Sequence, residues 1–432
     1  MRVTDEDDID GFTSRENVLR IQLNDPSLKD IVLSIDAADG SHILLAGDIE
    51  ALGWGIGQNT HLRKLVIDTR GWNMQEVMGA HIQEAWTETI RLLYEGISQN
   101  RSIEHLLVTH VFRIGTDIIH FLPPFLEHNN NFKYIHFCDK DECPYYSRLT
   151  RDNMRSIMVP LLKRDTPFEK LDLSHCEIDD DLVEALLTPL QASPAMSPKE
   201  IDFGNNNIGG DGCRSIATLL RDQRCSMETL NLTDNAVKNS LAILFANALI
   251  RNTYLKELNI GDIDYAHYSP RFSVTTSGLR AFSQTLCNTS NINATYSSNH
   301  TLQVLEYGET YKSTGEDSDS DSEIYENPLH SDICQYLSWN TNDNKTIVAR
   351  KKVFMKHFLC NFTMEPFKEM EPELLVGVLH FMDKASDENY GLTNLCARNL
   401  IIFQLITKNP MICGIVKTGV IENCHNRKRK YG

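Results

Sequence analysis

One short frame of apolar and polar positions recurs along this chain. An apolar residue, two others, an apolar residue, one other and an apolar residue open FEKLDLSHCEI at 168–178, PKEIDFGNNNI at 198–208, METLNLTDNAV at 227–237 and LKELNIGDIDY at 255–265. The middle anchors Leu171, Ile201, Leu230 and Leu258 are 30, 29 and 28 residues apart. Weaker copies stand upstream at 62–68, 103–109 and 132–138, and one more downstream at 302–308, which makes eight. Alternation within LDL or LNL predicts a short strand with its apolar side turned inward. The segments that follow, DGCRSIATLL, NSLAILFANAL and SGLRAFSQTL, carry apolar residues at helical spacing.

A single strand and a single helix cannot cover their own apolar faces. Stacked copies bury a continuous core, with strands inside a curve and helices outside. The frame resembles the leucine-rich repeat in its long, ribonuclease-inhibitor-like form. Its pattern L-x-x-L-x-L-x-x-N/C-x-L is met at 168–178, 198–208 and 227–237, and the helical signature G-x-x-x-[IL]-A-x-x-L at Gly212, Ile216, Ala217 and Leu220. The resemblance covers residues 25 to 310 and extends to algal repeat proteins to which no activity is attached. It implies an α/β leucine-rich-repeat solenoid, a curved parallel sheet inside and helices outside, followed here by a small helical C-terminal module.

Asn206 falls where the family places Asn or Cys, as Cys176 and Asn235 do in the flanking copies. A chain that bends sharply after a strand leaves backbone groups without ladder partners. One amide side chain can donate to a carbonyl and accept from an N–H. Asn206 is therefore expected to be buried and structural, with Gly209, Gly210 and Gly212 letting the chain turn into the helix. Where Arg70, Val111, Lys140 and Ile263 stand at the turn, the ladder is expected to be interrupted or water-filled. Longer copies such as the one carrying CDKDECPYYSRLTRD should extrude loops on one face.

Composition places the flanks. Residues 1–24 form an acidic start and cap, 25–310 the solenoid, 311–327 an acidic flexible linker, 328–418 a helical module and 419–432 a basic tail. The linker STGEDSDSDSE has no core-forming residue, and its serines beside acids suit phosphorylation. EPELLVGVLHFMDKA and LTNLCARNLIIFQLI have helical spacing and would cover the last repeat. A net charge of -17 over 432 residues argues against a nucleic-acid partner. The longest apolar runs are too short to span a bilayer, and the acidic start lacks a signal peptide's apolar stretch. Eleven scattered cysteines read as free thiols, with Cys138 and Cys143 too isolated a pair for zinc. The expected location is the cytoplasm. The run Arg427, Lys428, Arg429 and Lys430 suits a nuclear import receptor, which makes the nucleus the alternative.

Chemistry is sparse. No phosphate loop, nucleophile elbow or zinc-protease motif occurs, and no cofactor, metal or small-molecule substrate is expected. The glycines of GWGIGQN at 53–59 precede a repeat strand, not a helix, which argues against a phosphate cradle. His105, His110, His120, His128 and His136 fall on separate repeats and faces and read as hydrogen-bonded side chains. That leaves binding. Residues between the apolar anchors of each strand point to the concave face. The central column runs Val66, Leu107, His136, Asp172, Asp202, Asn231, Asn259 and Glu306, and the preceding one Lys64, His105, Tyr134, Lys170, Glu200, Thr229, Glu257 and Val304. The expected activity is that of a non-catalytic scaffold holding a protein partner there. Leu107 and Tyr134 would act as apolar anchors, and Asp172, Glu200, Asp202 and Glu257 would meet basic groups, beside His136, Lys170, Asn231 and Asn259. The alternative is a Ran-type GTPase activator, for which Arg70 and Arg113 are the candidate loop arginines.

Overall fold

The computed structural model describes residues 15–34, 46–68, 88, 91–109, 117–129, 131–138, 151–162, 169–235, 237–261, 274–307 and 328–359. Nine strands form one sheet in strict chain order. They are β1 (Asp30–Ser34), β2 (Lys64–Asp68), β3 (His105–Thr109), β4 (Tyr134–Cys138), β5 (Lys170–Asp172), β6 (Glu200–Asp202), β7 (Thr229–Asn231), β8 (Glu257–Asn259) and β9 (Val304–Glu306). Every neighbouring pair is parallel. A parallel pair needs a crossover, and helices supply it. Helix α1 (Arg15–Gln22) precedes β1. Between successive strands lie α2 (Ala46–Gln58), α3 (91–97), α4 (Asp117–His128), α5 (Arg151–Leu162), α6 (Asp180–Ala192), α7 (Gly210–Arg221) and α8 (Asn239–Leu249). The α/β repeat solenoid expected from the sequence is the fold.

The chain divides into two units. The first contains the whole sheet with α1 to α7 and α8 as far as Ala248. The second contains 249–253, α9 (Thr276–Leu286), α10 (Ile292–Tyr296), the chain to Gln303, α11 (Pro328–Asn340), α12 (Lys345–Val353) and a π-helical turn, Phe354–Leu359. Within it α11 packs on α9 and α12 on α10. The acidic linker, the basic tail, the two apolar segments beyond 359, Arg70, Arg113 and the turn residues Val111, Lys140 and Ile263 lie outside the described residues.

Register follows the apolar frame. The anchors Ile31, Leu65, Leu106, Ile135, Leu171, Ile201, Leu230, Leu258 and Leu305 stack in one buried column. One copy escapes the count of eight: β1 is a ninth, in which Leu28, Ile31 and Leu33 fill the same three positions and are all buried.

Strand length changes along the sheet for a chemical reason. β1 to β4 have five residues and β5 to β9 three. From β5 to β8 the third residue is Asp or Asn, and its Oδ1 accepts the N–H two residues on. Asp172 takes Ser174 N at 3.1 Å, Asp202 takes Gly204 N at 2.8 Å, Asn231 takes Thr233 N at 3.0 Å and Asn259 takes Gly261 N at 3.2 Å. A side chain that captures that N–H ends the regular ladder. Val32, Val66, Leu107 and His136 hold the same place in β1 to β4 and have no such short acceptor arm.

Asn206 is buried, as expected. Its Oδ1 accepts Cys176 N at 3.0 Å and Ile178 N at 2.8 Å, and its Nδ2 donates to Leu173 O at 2.8 Å and Phe203 O at 2.9 Å. Asn235 repeats the arrangement on Ile208 N and Phe203 O, and Cys176 donates through Sγ to Phe137 O at 3.1 Å. A second asparagine ladder occupies the helix-to-strand turn, three residues before a strand's first apolar position. Asn100 Nδ2 donates to Ile56 O and Asn59 O, and its Oδ1 accepts Ser102 N and Ile103 N. Asn59 and Asn129 hold the same place in the neighbouring repeats. In the second unit Asn299 does so on Leu249 O and Asn252 O. Repeats whose strand-to-helix turn lacks asparagine carry it at the other turn.

The glycines act differently from the sequence expectation. The left-handed positions after the strands belong to His175, Asn205 and Asp234 (φ 57°, 54° and 54°), not to Gly209, Gly210 or Gly212. Gly212 is set by space: a Cβ there would lie 2.7 Å from Asp180 Oδ1 and 2.9 Å from Ile208 Cγ2. Asp180 is held close because it accepts Gly209 N and Asp211 N at the start of α7. The glycines of 53–57 sit inside α2. A Cβ on Gly57 would lie 2.2 Å from Gly96 O, and one on Gly53 2.6 Å from Leu93 O, so they let α2 and α3 touch backbone to backbone.

Candidate protein-docking face

The strand register aligns the two expected columns as written, with Asp30 and Val32 added at the front by β1. Anchors point into the core and the residues flanking them point to the open face of the sheet. The face is half-buried in its first repeats and opens at the far end, where Glu257, Val304 and Glu306 are exposed.

Most polar residues of this face already face a register partner. His105 and Tyr134 stack with ring centroids 4.4 Å apart. His136 Nε2 stands 3.6 Å from Asp172 Oδ1. Lys170 Nζ reaches Glu200 Oε1 at 2.5 Å and Asp172 Oδ2 at 3.7 Å. Asn231 Nδ2 donates to Asp202 Oδ1 at 2.9 Å, and Asn259 Nδ2 to Glu306 Oε2 at 2.6 Å. Burial, with the charge of Asp172 second, raises the Asp202 carboxyl above its ordinary pKa. Burial also works against the Lys170 ammonium, but the Glu200 hydrogen bond and the charges of Asp172 and Glu200 outweigh it and raise its pKa. His105 is pulled down, chiefly by burial. Tyr134 is pushed up by burial and by its hydrogen bond to Glu169 at 3.1 Å.

The expectation that Asp172, Glu200 and Asp202 stand ready for basic groups therefore meets a counter-observation. Lys170 faces two of them, and Asp172 and Asp202 also hold the turns after their strands. Glu257 is the acid of that set with no ion pair among the described residues.

One further column was missed by the sequence reading. The residue immediately before each strand alternates in sign through seven repeats: Arg63, Glu104, Lys133, Glu169, Lys199, Glu228 and Lys256. Glu104 lies 3.6 Å from Arg63 and 2.6 Å from Lys133, and Glu228 lies 2.5 Å from Lys256. Backbone bonds carry the same column: Glu104 N donates to Arg63 O, Lys133 N to Glu104 O and Glu169 N to Lys133 O. The signal was present at the position before each aligned strand.

Two comparisons bear on these repeats. The Leucine Rich repeat family matches residues 165–187 and 199–217, the copies with the fullest asparagine turns. A Ribonuclease inhibitor of Sus scrofa is 31% identical over 122 residues, 27% of this chain and 26% of that relative. This is a leucine-rich-repeat protein of the ribonuclease-inhibitor-like type. The chain spans about a quarter of the length of the curated relative it matches.

The leucine-rich repeats leave little chemistry elsewhere. Among the described residues no group of three or more His, Cys, Asp or Glu is placed to hold a metal ion, and no helix is long and apolar enough to cross a membrane. Of the described thiols Cys176, Cys213, Cys225 and Cys287 are buried and Cys334 is exposed. Burial pushes the Cys213 thiol up to about 12, which makes it an inert core side chain. A polar cleft of about 540 Å³ lies at the helix-to-strand turns of the early repeats, between Gly57, Arg63, Gln99 and Asn131. Arg63, on its wall, is held by Thr60 O, Leu62 O and Ser102 O.

Proposed function

We propose that this protein is a non-catalytic scaffold that binds a protein partner on the open, concave face of its repeat sheet. The observation that carries the reading is the unbroken nine-strand register, which sets two columns of side chains side by side on one face. Such a face offers positions for many contacts and no convergent catalytic group. The name of the Sus scrofa relative describes an inhibitor of an enzyme, which supports a protein as the partner class. The proposed contact residues are Leu107, Tyr134, His136, Lys170, Asp172, Glu200, Asp202, Asn231, Glu257 and Asn259. Leu107 and Glu257 are the first choices, because the polar members between them already face one another.

The test is site-specific photocrosslinking of the full chain. A crosslinking residue replaces Leu107 or Glu257 on the open face, or Trp54, which is 60% exposed on α2. A partner captured from both face positions and not from Trp54, and whose binding is lost in Leu107→Glu, supports the proposal. Capture from Trp54 alone, or binding unchanged by Leu107→Glu, overturns it.

A further inference from the structure

The second unit buries a lysine completely. Lys352, on α12, has no exposed surface. Its Nζ donates to Leu286 O at 2.6 Å, the last carbonyl of α9, and to Asn299 O at 2.9 Å in the turn before β9. A cationic ammonium has three N–H donors, whereas a neutral amine has two donors and a lone pair. The site offers two acceptors, which match the neutral amine. A third N–H would be buried without a partner, and an unpaired buried donor is costly.

The surroundings add little to hold a positive charge. Cys287, directly after α9, is a buried thiol that burial pushes up toward the neutral form. Lys345, on α12 itself, is a second cation that disfavours another. His300, in the Asn299 turn, is held down to about 4 by burial and by Lys352, so it is neutral at physiological pH. Asp332 on α11 is engaged by Lys356 at 2.9 Å. The negative end of α9 at Leu286 is the one feature that favours a cation.

We propose that Lys352 is a neutral amine in the folded protein and that its protonation loosens α12 from α9, a pH-sensitive latch within the second unit. Burial lowers the Lys352 pKa to about 7, from an ordinary value near 10.5. A base with a depressed native pKa binds more protons when released than when packed. Stability of the packed state therefore rises with pH between about 7 and 10.5 and is flat below that window. The latch is closed in alkali and weakens as pH falls toward neutrality.

Two measurements on the full chain test this. The first is nitrogen NMR of the Lys352 side chain across pH, which distinguishes amine from ammonium whatever a variant does. A transition near neutrality is expected, and one at the ordinary lysine range overturns the proposal. The second is hydrogen exchange of α12 amides, corrected for intrinsic rates. The opening constant should fall about tenfold per pH unit above neutrality, as expected for one linked proton. Lys352→Met should flatten that slope even if it raises the baseline opening. A slope that persists in Lys352→Met overturns the assignment to this residue.

Discussion

Removing the amide of Asn206 tests whether its ladder holds the central repeats together. Asn206→Ala takes away two acceptor contacts and three donor contacts. Not every partner is left alone. Phe203 O still accepts Asn235 Nδ2 at 2.8 Å, and Gly204 O still accepts His175 N at 3.0 Å. The groups that lose their amide partner are Cys176 N–H, Ile178 N–H and Leu173 O. Each buried orphan costs about 1–3 kcal/mol, and the three together bound the loss at roughly 3–9 kcal/mol. Asn206 is 8% exposed, so water can reach one edge of the space. That places the expected loss near the lower bound, about 3–4 kcal/mol. Asn206→Asp separates the two halves of the role. It keeps the acceptor for Cys176 N and Ile178 N but turns a carboxylate oxygen toward three carbonyls, so it should be no more stable than the alanine variant. A repeat array can open locally, so urea unfolding by circular dichroism needs a local companion. Exchange of the Cys176 and Ile178 amides, referred to the distant Lys64 amide on Lys29 O, supplies it. A loss below about 1 kcal/mol with unchanged protection at 176 and 178 would refute the reasoning.

Three further outcomes follow from particular contacts. Gly57→Ala drives a Cβ to within 2.2 Å of Gly96 O. It should cost about 1–3 kcal/mol despite alanine's better helix propensity. Gly210→Ala, whose Cβ meets only the flexible end of Arg214 at 3.5 Å, should be neutral or stabilising in the same melting assay. Asp202→Asn keeps the Oδ1 acceptor for Gly204 N and removes a buried charge beside Asp172. Because the native carboxyl titrates above its ordinary range, its ionisation weakens the fold as pH rises through that raised value. The variant should match wild type at pH values below the ordinary carboxylate range and exceed it at neutrality, a difference read by melting temperature against pH. Glu104→Lys puts three cations in a row from Arg63 to Lys133. The melting temperature should fall at low salt and recover at high salt, since these side chains are partly exposed and screened.

The sequence by itself determined the repeat and its register. Apolar anchors about 29 residues apart can be buried together only by stacking, and parallel stacking fixes which residues share a column. Asn206 was legible for the same reason: its neighbours Cys176 and Asn235 stand at the same place in the frame. β1 was legible but overlooked, because its Leu28, Ile31 and Leu33 lie outside the regular spacing. The second asparagine ladder and the alternating charges before each strand were also written in the chain, but at positions the repeat frame does not mark.

Only the tertiary structure decided how the aligned side chains use one another. That Lys170 turns to Glu200, or that Asp172 and Asp202 hold the turns after their strands, depends on distances of a few ångström between repeats. The glycines of α2 carry no signal that α3 will lie against them. Lys352 looks like an ordinary surface lysine in KTIVARKKV, and burial beneath other helices leaves it with two acceptors. Periodicity reports which side of an element is covered. What covers it, and the protonation state that results, depends on residues far apart in the chain.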